Sequence, residues 1–401
     1  MSNFIFIFKS ALEDFNRNKG RTFLTSLGIL IGVLSVVILT AFGLGLKKYI
    51  NNQFESLGTN IIRVVPGQIL KGGSFNSSGG LSSIRFDEKD VQKLSRLKSV
   101  EFVVPVFTKP VTVTIGKGTE AATVYASTAD IFPTLNLKIQ YGQLFSKSDV
   151  EKRAKIVVVG PKIAAKLFGS EDQAVDRKIK TEGQTYKVVG VLESKGGGGF
   201  GGPDLDSFIY MPHTTASVFN PDKKFLTIIV KSKSEISIAD AKVEINTALL
   251  KRYKSDDFSV IDQAELLGAI SSIFGILNTV LVAIAAVSLV VGGIGIMNIM
   301  YVTVTERIKE IGIRRALGAR KADILSQFLI ESVVLSLIGG LMGLGLAELI
   351  VLFIQKLFPA YIDLSSVVMA LGVSSGIGII FGVFPAKKAA DLSPIDAIRY
   401  E

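Results

Sequence analysis

Four apolar runs constrain what this chain can fold into. TFLTSLGILIGVLSVVILTAFGLGL (22–46) and LLGAISSIFGILNTVLVAIAAVSLVVGGIGIMNIMYVTVT (266–305) contain no charged residue. A third run covers 324–353, and SSVVMALGVSSGIGIIFGVFPA covers 365–386. Crossing a bilayer takes about 20 apolar residues, so each run is long enough to span. With 48% hydrophobic and only 20% charged residues, the 401-residue chain is too apolar for an ordinary water-soluble protein of this size. The expected class is an α-helical membrane protein with four transmembrane helices and an α+β extracytoplasmic domain inserted between helices 1 and 2.

Lys and Arg near the ends of the runs set the orientation. Lys9, Arg17, Lys19 and Arg21 precede the first run. Arg307, Lys309, Arg314, Arg315, Arg320 and Lys321 lie between the second and third, and Lys387, Lys388 and Arg399 follow the fourth. The loop at 354–364 has only Lys356. Both termini and residues 306–323 are therefore expected on the cytoplasmic side, with 47–265 outside. The net charge of +10 is spread over these flanks rather than gathered into a basic domain, which points to membrane topology and not nucleic acid. With no Trp in the chain, Tyr49, Tyr301 and Tyr361 are candidate interfacial anchors.

The first run is longer than the apolar region of a signal peptide and no clear cleavage site follows it, so a retained anchor is expected. Before it, Phe4, Phe8, Ala11, Leu12 and Phe15 recur at helical spacing opposite Lys9, Glu13 and Arg17. Residues 1–21 thus read as an amphipathic helix, either on the inner membrane surface or packed against the protein.

Residues 47–265 alternate strand-like and helix-like segments. Strands are predicted at 60–65, 100–107, 111–115, 121–126, 155–160, 185–192, 207–211 and 225–230. Gly116 and Gly118 mark one hairpin and Glu182-Gly183 another. Helices are predicted after Asp87, from Pro161 to Gly169, and on the face Ile238, Ala241, Ile245, Leu249. KGGSFNSSGG (71–80) and KGGGGFGGPD (195–204) read as flexible loops; the second lacks the G-K-[ST] ending of a phosphate-binding loop.

Catalytic chemistry finds no support. His213 is the only histidine, which excludes a two-histidine zinc site within one chain, and its place in YMPHTT suggests a loop or capping role. There is no cysteine, no G-x-S-x-G elbow and no Walker A motif.

Four stretches together resemble the MacB/FtsX-type permeases of ABC transporters, the mechanotransmission class. They are RTFLTSLGILIGVLSVV (21–37); VVGPKIAAKLFG with GQTYKVVGVLESKGG and FIYMPHTTASVF; the block from Gly292 to Gly340; and FPAKKAADLSPIDAIRYE (384–401). The resemblance implies a coupling helix within 306–323 that docks into a groove of the ATPase. Glu306, Arg307, Glu310, Ile311, Gly312, Arg314, Arg315, Leu317 and Gly318 are the candidate coupling residues. Ile308, Ile311 and Arg315 share helical spacing, Glu306, Arg307, Glu310 and Arg314 offer charge to a partner, and Gly312 and Gly318 permit close approach or a helix end. A solvated basic loop would account for the positive charge but not for the interleaved Glu, Ile and Gly.

The resemblance further implies a separate ATPase subunit that carries ATP and magnesium, a second copy of the permease, and a membrane-fusion-type adaptor as a further partner. This chain itself would bind no cofactor and catalyse nothing. Its expected place is the bacterial inner or plasma membrane, its expected work the export of a drug, peptide or lipid-linked substrate. The rival is a transmembrane regulator of an extracytoplasmic partner such as a cell-wall hydrolase. Within the runs, Glu331 is the candidate intramembrane polar residue, either functional or bonded across a helix interface. The run 266–305 as one helix would be roughly 60 Å long and would project beyond the membrane as a stalk.

Overall fold

A computed structural model describes residues 19–56, 58–71, 74–75, 85–116, 118–196, 204–356 and 358–399. The expected amphipathic helix of 1–21 falls almost entirely outside the described residues, as does most of each glycine-rich loop. The chain divides into a helical unit, residues 1–49 and 274–401, and a mixed unit, residues 50–273.

Among the described residues, four helices are long and apolar enough to cross a membrane: α1 (Lys19–Ser56), α7 (Gln263–Glu306), α9 (Lys321–Ile354) and α10 (Leu364–Ala390). Their apolar stretches coincide with the four runs, and each helix extends a few residues beyond its run. The 44 residues of α7 amount to about 66 Å of continuous helix. Two short helices of the same unit are also described, α8 (Ile308–Ala316) and α11 (Pro394–Arg399).

Small residues bring these helices together. A Cβ on Gly28 of α1 would stand 2.7 Å from Gly292 Cα of α7, and one on Gly343 of α9 would stand 2.7 Å from the Leu30 carbonyl oxygen of α1. On α10, Ser374, Gly378 and Gly382 follow one another at four-residue spacing, and Gly378 and Gly382 face Ser336 and Ser332 of α9. Both of those serines turn their hydroxyls back to carbonyls of their own helix, Val333 and Leu329. Apolar exterior and small-residue contacts are what helices need in lipid, where burying apolar surface gains nothing over leaving it in the solvent.

The mixed unit is built on one large sheet in the order β12–β1–β11–β4–β5–β10–β7–β9–β6, with β8 pairing both β4 and β9. The strands are β1 (Ile61–Pro66), β4 (Val100–Ile115), β5 (Gly118–Ser127), β6 (Ile139–Gly142), β7 (Ile156–Val159), β8 (Lys178–Thr181), β9 (Gln184–Leu192), β10 (Phe208–Pro212), β11 (Thr227–Ser232) and β12 (Phe258–Asp262). A small hairpin, β2 (Leu70–Lys71) with β3 (Ser74–Phe75), lies apart from it.

Several strands are apolar at successive positions because both faces of the sheet are covered. Ile62, Ile228 and Val230 join one core with α2 (Glu88–Leu94) and α6 (Ile238–Leu249). Their neighbours Ile61 and Ile229 enter the opposite core beside Phe132, Phe145 and Tyr210, close to α3 (Ile131–Thr134). Val157 and Val159 pack towards α5 (Pro161–Phe168), and Val158 faces the other way.

Both hairpins expected from glycine occur, with Ile115 paired to Gly118 and Thr181 to Gln184. The strands expected at 100–107 and 111–115 are instead one strand, β4. It changes neighbour part-way: 100–106 pairs with β11 and 107–115 with β5, so Pro105 and Pro110 flank the handover.

Candidate coupling site

α7 ends where Arg307 leaves helical geometry, at φ −109° and ψ 16°, and the chain turns into α8. The helix lasts nine residues and stops at Gly318, whose φ of +105° favours glycine. Ala319 N–H donates to the Arg314 carbonyl and Gly318 N–H to that of Arg315, satisfying the last carbonyls of α8. Asp323 then accepts from Arg320 N–H and opens α9.

The inner face of α8 carries Ile308, Ile311 and Gly312, all buried. Ile311 belongs to a core with Val304, Ile324, Phe328, Ala389 and Ala390, drawn from α7, α9 and α10. Above it runs a chain of charges. Arg307 Nε lies 2.9 Å from Glu310, whose other oxygen takes Arg314 Nη2 at 2.5 Å. Arg314 Nη1 reaches Gln327 of α9 at 2.8 Å. Arg307 Nη1 stands 3.7 Å from Glu331, whose side chain is only 9% exposed. Arg315 donates to the Ala390 carbonyl at the end of α10, and Lys321 pairs with Asp391 just beyond it.

Arg307, Glu310 and Arg314, expected to offer charge to a partner, are engaged in this chain with one another and with α9. The reason is spacing: positions 307, 310 and 314 lie three and four residues apart, which stacks opposite charges on one helix face. Ile311 and Gly312 face inward and serve packing. Glu331 is buried among the helices and faces the Arg307 guanidinium, which offsets part of the cost of burying a carboxylate.

The outward face is left to Glu306, Lys309, Ile313, Ala316, Leu317 and Gly318, all exposed. Leu317 is 83% exposed and Ile313 53%. Of these, Lys309, Ile313 and Ala316 were not among the coupling candidates read from the sequence, although 309, 313, 316 and 317 share the spacing of a second helical face. At the ends of the long helices, Lys388 Nζ lies 4.2 Å from the Tyr301 ring centroid and Lys48 Nζ 5.3 Å from that of Tyr361. Among the described residues, no cluster of three or more His, Asp or Glu suited to a metal occurs.

A chain of spanning-length apolar helices carrying a large mixed unit and a short charged helix defines a class of multi-pass permease. Residues 22–248 match the MacB-like periplasmic core domain, and residues 282–394 match the FtsX-like permease C-terminal region. The chain belongs to the MacB/FtsX-type family of ABC transporter permeases.

It is 36% identical over 396 residues to the macrolide export ATP-binding/permease protein MacB of Wolinella succinogenes, covering 98% of this chain and 60% of that protein. It is 36% identical over 402 residues to the protein of the same name from Neisseria gonorrhoeae, 99% of this chain and 61% of that one. The pyoverdine export ATP-binding/permease protein PvdT of Pseudomonas syringae pv. tomato is 37% identical over 391 residues, 96% and 58%. The chain therefore spans about three fifths of the length of the relatives it matches. Among solved structures, the periplasmic region of MacB from Actinobacillus actinomycetemcomitans covers 55% of this chain at 18% identity, with a TM-score of 0.46.

Proposed function

We propose that this chain is the permease of an ATP-driven exporter, with α1, α7, α9 and α10 spanning a bacterial cell membrane. Both termini and α8 would lie on the cytoplasmic side and the mixed unit on the other. The Lys388–Tyr301 and Lys48–Tyr361 pairs suit opposite membrane interfaces, where the amphipathic rings of tyrosine settle.

The observation that carries the coupling assignment is the division of α8 into two faces. One is fixed to α7, α9 and α10 by buried isoleucine and the Arg314–Glu310–Arg307–Glu331 chain. The other presents Leu317 and Ile313 to the surroundings, with the exposed Lys309 four residues before Ile313 on the same helix. An exposed apolar pair on a helix anchored this firmly suits docking to an ATPase subunit or domain, which would hold ATP and magnesium. Movement of α8 would reach α9 through Arg307 and Glu331, and the unbroken α7 is the element we infer carries it towards the mixed unit. A second copy of the chain and a membrane-fusion-type adaptor complete the proposed assembly. The names of the relatives, macrolide and pyoverdine export, favour efflux over the regulation of an extracytoplasmic partner.

The test is Leu317→Asp in the full-length permease co-expressed with its ATPase. Membrane insertion and yield should be unchanged, while co-purification of the ATPase and ATP turnover of the reconstituted complex fall together. A variant that retains the ATPase and wild-type turnover overturns the outward face of α8 as the docking surface.

A further inference from the structure

The mixed unit contains a pocket of about 260 Å³ remote in sequence from α8, lined by residues of three separate stretches of chain, among them Glu88, Arg153, His213, Ser217, Lys223 and Phe225. Its frame is rigid. Thr214 and Thr215 donate their hydroxyls to the carbonyls of Val150 and Ala154, which pins the loop after β10 to the turn after α4 (Lys147–Glu151). His213 N–H donates to the Ser127 carbonyl, and its ring meets Phe225 edge-on at 5.8 Å between centroids. The imidazole approaches Glu88 at 4.0 Å, and burial holds its pKa below the ordinary value.

The cations of this pocket occupy unusual backbone positions. Six non-glycine residues among those described have positive φ. Asn60, Asn136 and Asp176 are of types that tolerate it, and Glu182 stands in a hairpin turn where it pairs with Lys109. The remaining two are Arg153, at 53°, and Lys223, at 51°, and both line the pocket.

Arg153 holds the position just past the end of α4 that glycine usually fills, with Ala154 N–H closing on the Asp149 carbonyl. Lys223 ends a turn held by Asn220, whose amide donates to the Lys224 carbonyl and whose oxygen accepts from Lys224 N–H. At both positions glycine would be less strained, and at both a long cation stands instead. Among the described residues neither Arg153 nor Lys223 has an ion-pair or side-chain hydrogen-bond partner, and both are exposed at the rim. Two unpaired cations and the Ser217 hydroxyl thus face a single carboxylate, Glu88, over an aromatic floor.

We propose that this pocket binds a carboxylate carried on a compact apolar or aromatic body, such as the terminal residue of a peptide segment or a small aromatic acid. Arg153 and Lys223 would meet the carboxylate at the rim, and the body would lie against His213 and Phe225. The volume is just below the roughly 300–1,000 Å³ of pockets for drug-sized ligands, which suits a group the size of one residue. Strain kept at two cations that nothing else in the fold uses is the mark of a functional position.

The experiment titrates full-length permease in nanodiscs, by isothermal calorimetry, with an unlabelled tripeptide ending in phenylalanine, as free acid and as amide. The acid should bind, with the amide about tenfold weaker or worse. Arg153→Gly and Lys223→Gly should each weaken the acid about tenfold while leaving thermal stability equal or higher, because glycine relieves the left-handed backbone. That combination separates binding from folding. Displacement of the peptide by benzoate would assign free small acids as a source, and resistance to it would assign peptide termini; either supports the carboxylate site. The proposal is overturned if acid and amide bind alike, if both glycine variants bind like the wild type, or if neither peptide acid nor benzoate binds at about 10 mM.

Discussion

In the mixed unit the largest fully buried side chains include Tyr186, Tyr210, Phe86, Ile62 and Leu94, and charge lies mostly at the surface. In the helical unit several helix crossings are set by glycine and serine, and large apolar side chains such as Ile276, Ile284, Val287, Leu349 and Phe353 point outward. Each unit also buries a carboxylate beside a guanidinium. Asp90 of the mixed unit is fully buried and is held by Arg252 at 2.6 Å and the Tyr253 hydroxyl at 2.7 Å, within a network that also takes in Asp87. In the helical unit the buried Glu331 faces the Arg307 guanidinium across 3.7 Å. Water and lipid account for the difference. Water drives large apolar side chains into a core, whereas in lipid helices associate through close backbone approach, which only small residues allow.

The sharpest way to break this comparison is at the Gly28–Gly292 crossing. Gly28→Leu would force α1 and α7 apart, because even a Cβ there falls 2.7 Å from backbone. The expected result is loss of most folded, monodisperse permease, a destabilisation of about 3 kcal/mol or more. Normal yield and thermal stability would mean the crossing is not a close one.

A matched pair tests which solvent surrounds each unit. Val287 of α7 and Val243 of α6 are 65% and 66% exposed. Val287→Lys near the middle of an apolar run should cost about 2.5–3.5 kcal/mol in insertion. Val243→Lys should stay within about 0.5 kcal/mol, as surface changes do. Equal tolerance at both sites, read by protease protection and thermal unfolding, would remove the assignment of α7 to the bilayer.

Smaller still is an acid effect confined to the mixed unit. The Arg252 guanidinium beside Asp87 holds its carboxyl well below the ordinary value of 3.8. A carboxyl depressed in the folded state contributes stability that is present above its unfolded value and lost as pH falls through the folded one. Stability should therefore decline as pH is lowered below about 4. Asp87→Asn should flatten that decline while lowering stability at pH 7, as measured by thermal unfolding across pH. An unchanged acid profile would show that the Asp87–Arg252 pair contributes nothing.

Much of this architecture was legible in the sequence because it rests on local patterns. Length and apolarity mark the long helices, and the glycines at 116, 118 and 183 mark two hairpins. Pro161 and Gly169 bracket α5. Short strands without a run of β-branched residues escaped: IQYG and KIKT became β6 and β8 only because longer strands offered them an edge. The same limit applied to the coupling residues. The composition of 306–318 pointed to a helix with something to dock, and its charges were assigned outward because sequence spacing does not reveal which neighbours lie beside a helix face.

The sequence by itself determined the spanning-length helices, a mixed strand–helix region between the first two, and a short basic helix after the second. Periodicity, length and turn chemistry act within a few residues and need no partner from elsewhere in the chain. Only the tertiary structure decided that Gly28 meets Gly292, that Arg307 turns to Glu331 while Leu317 stays exposed, and that Arg153 and Lys223, 70 residues apart, share one pocket. Each of those depends on distances between segments far apart in sequence. Such distances are set by how the helices and the sheet pack, not by any pattern a single segment carries.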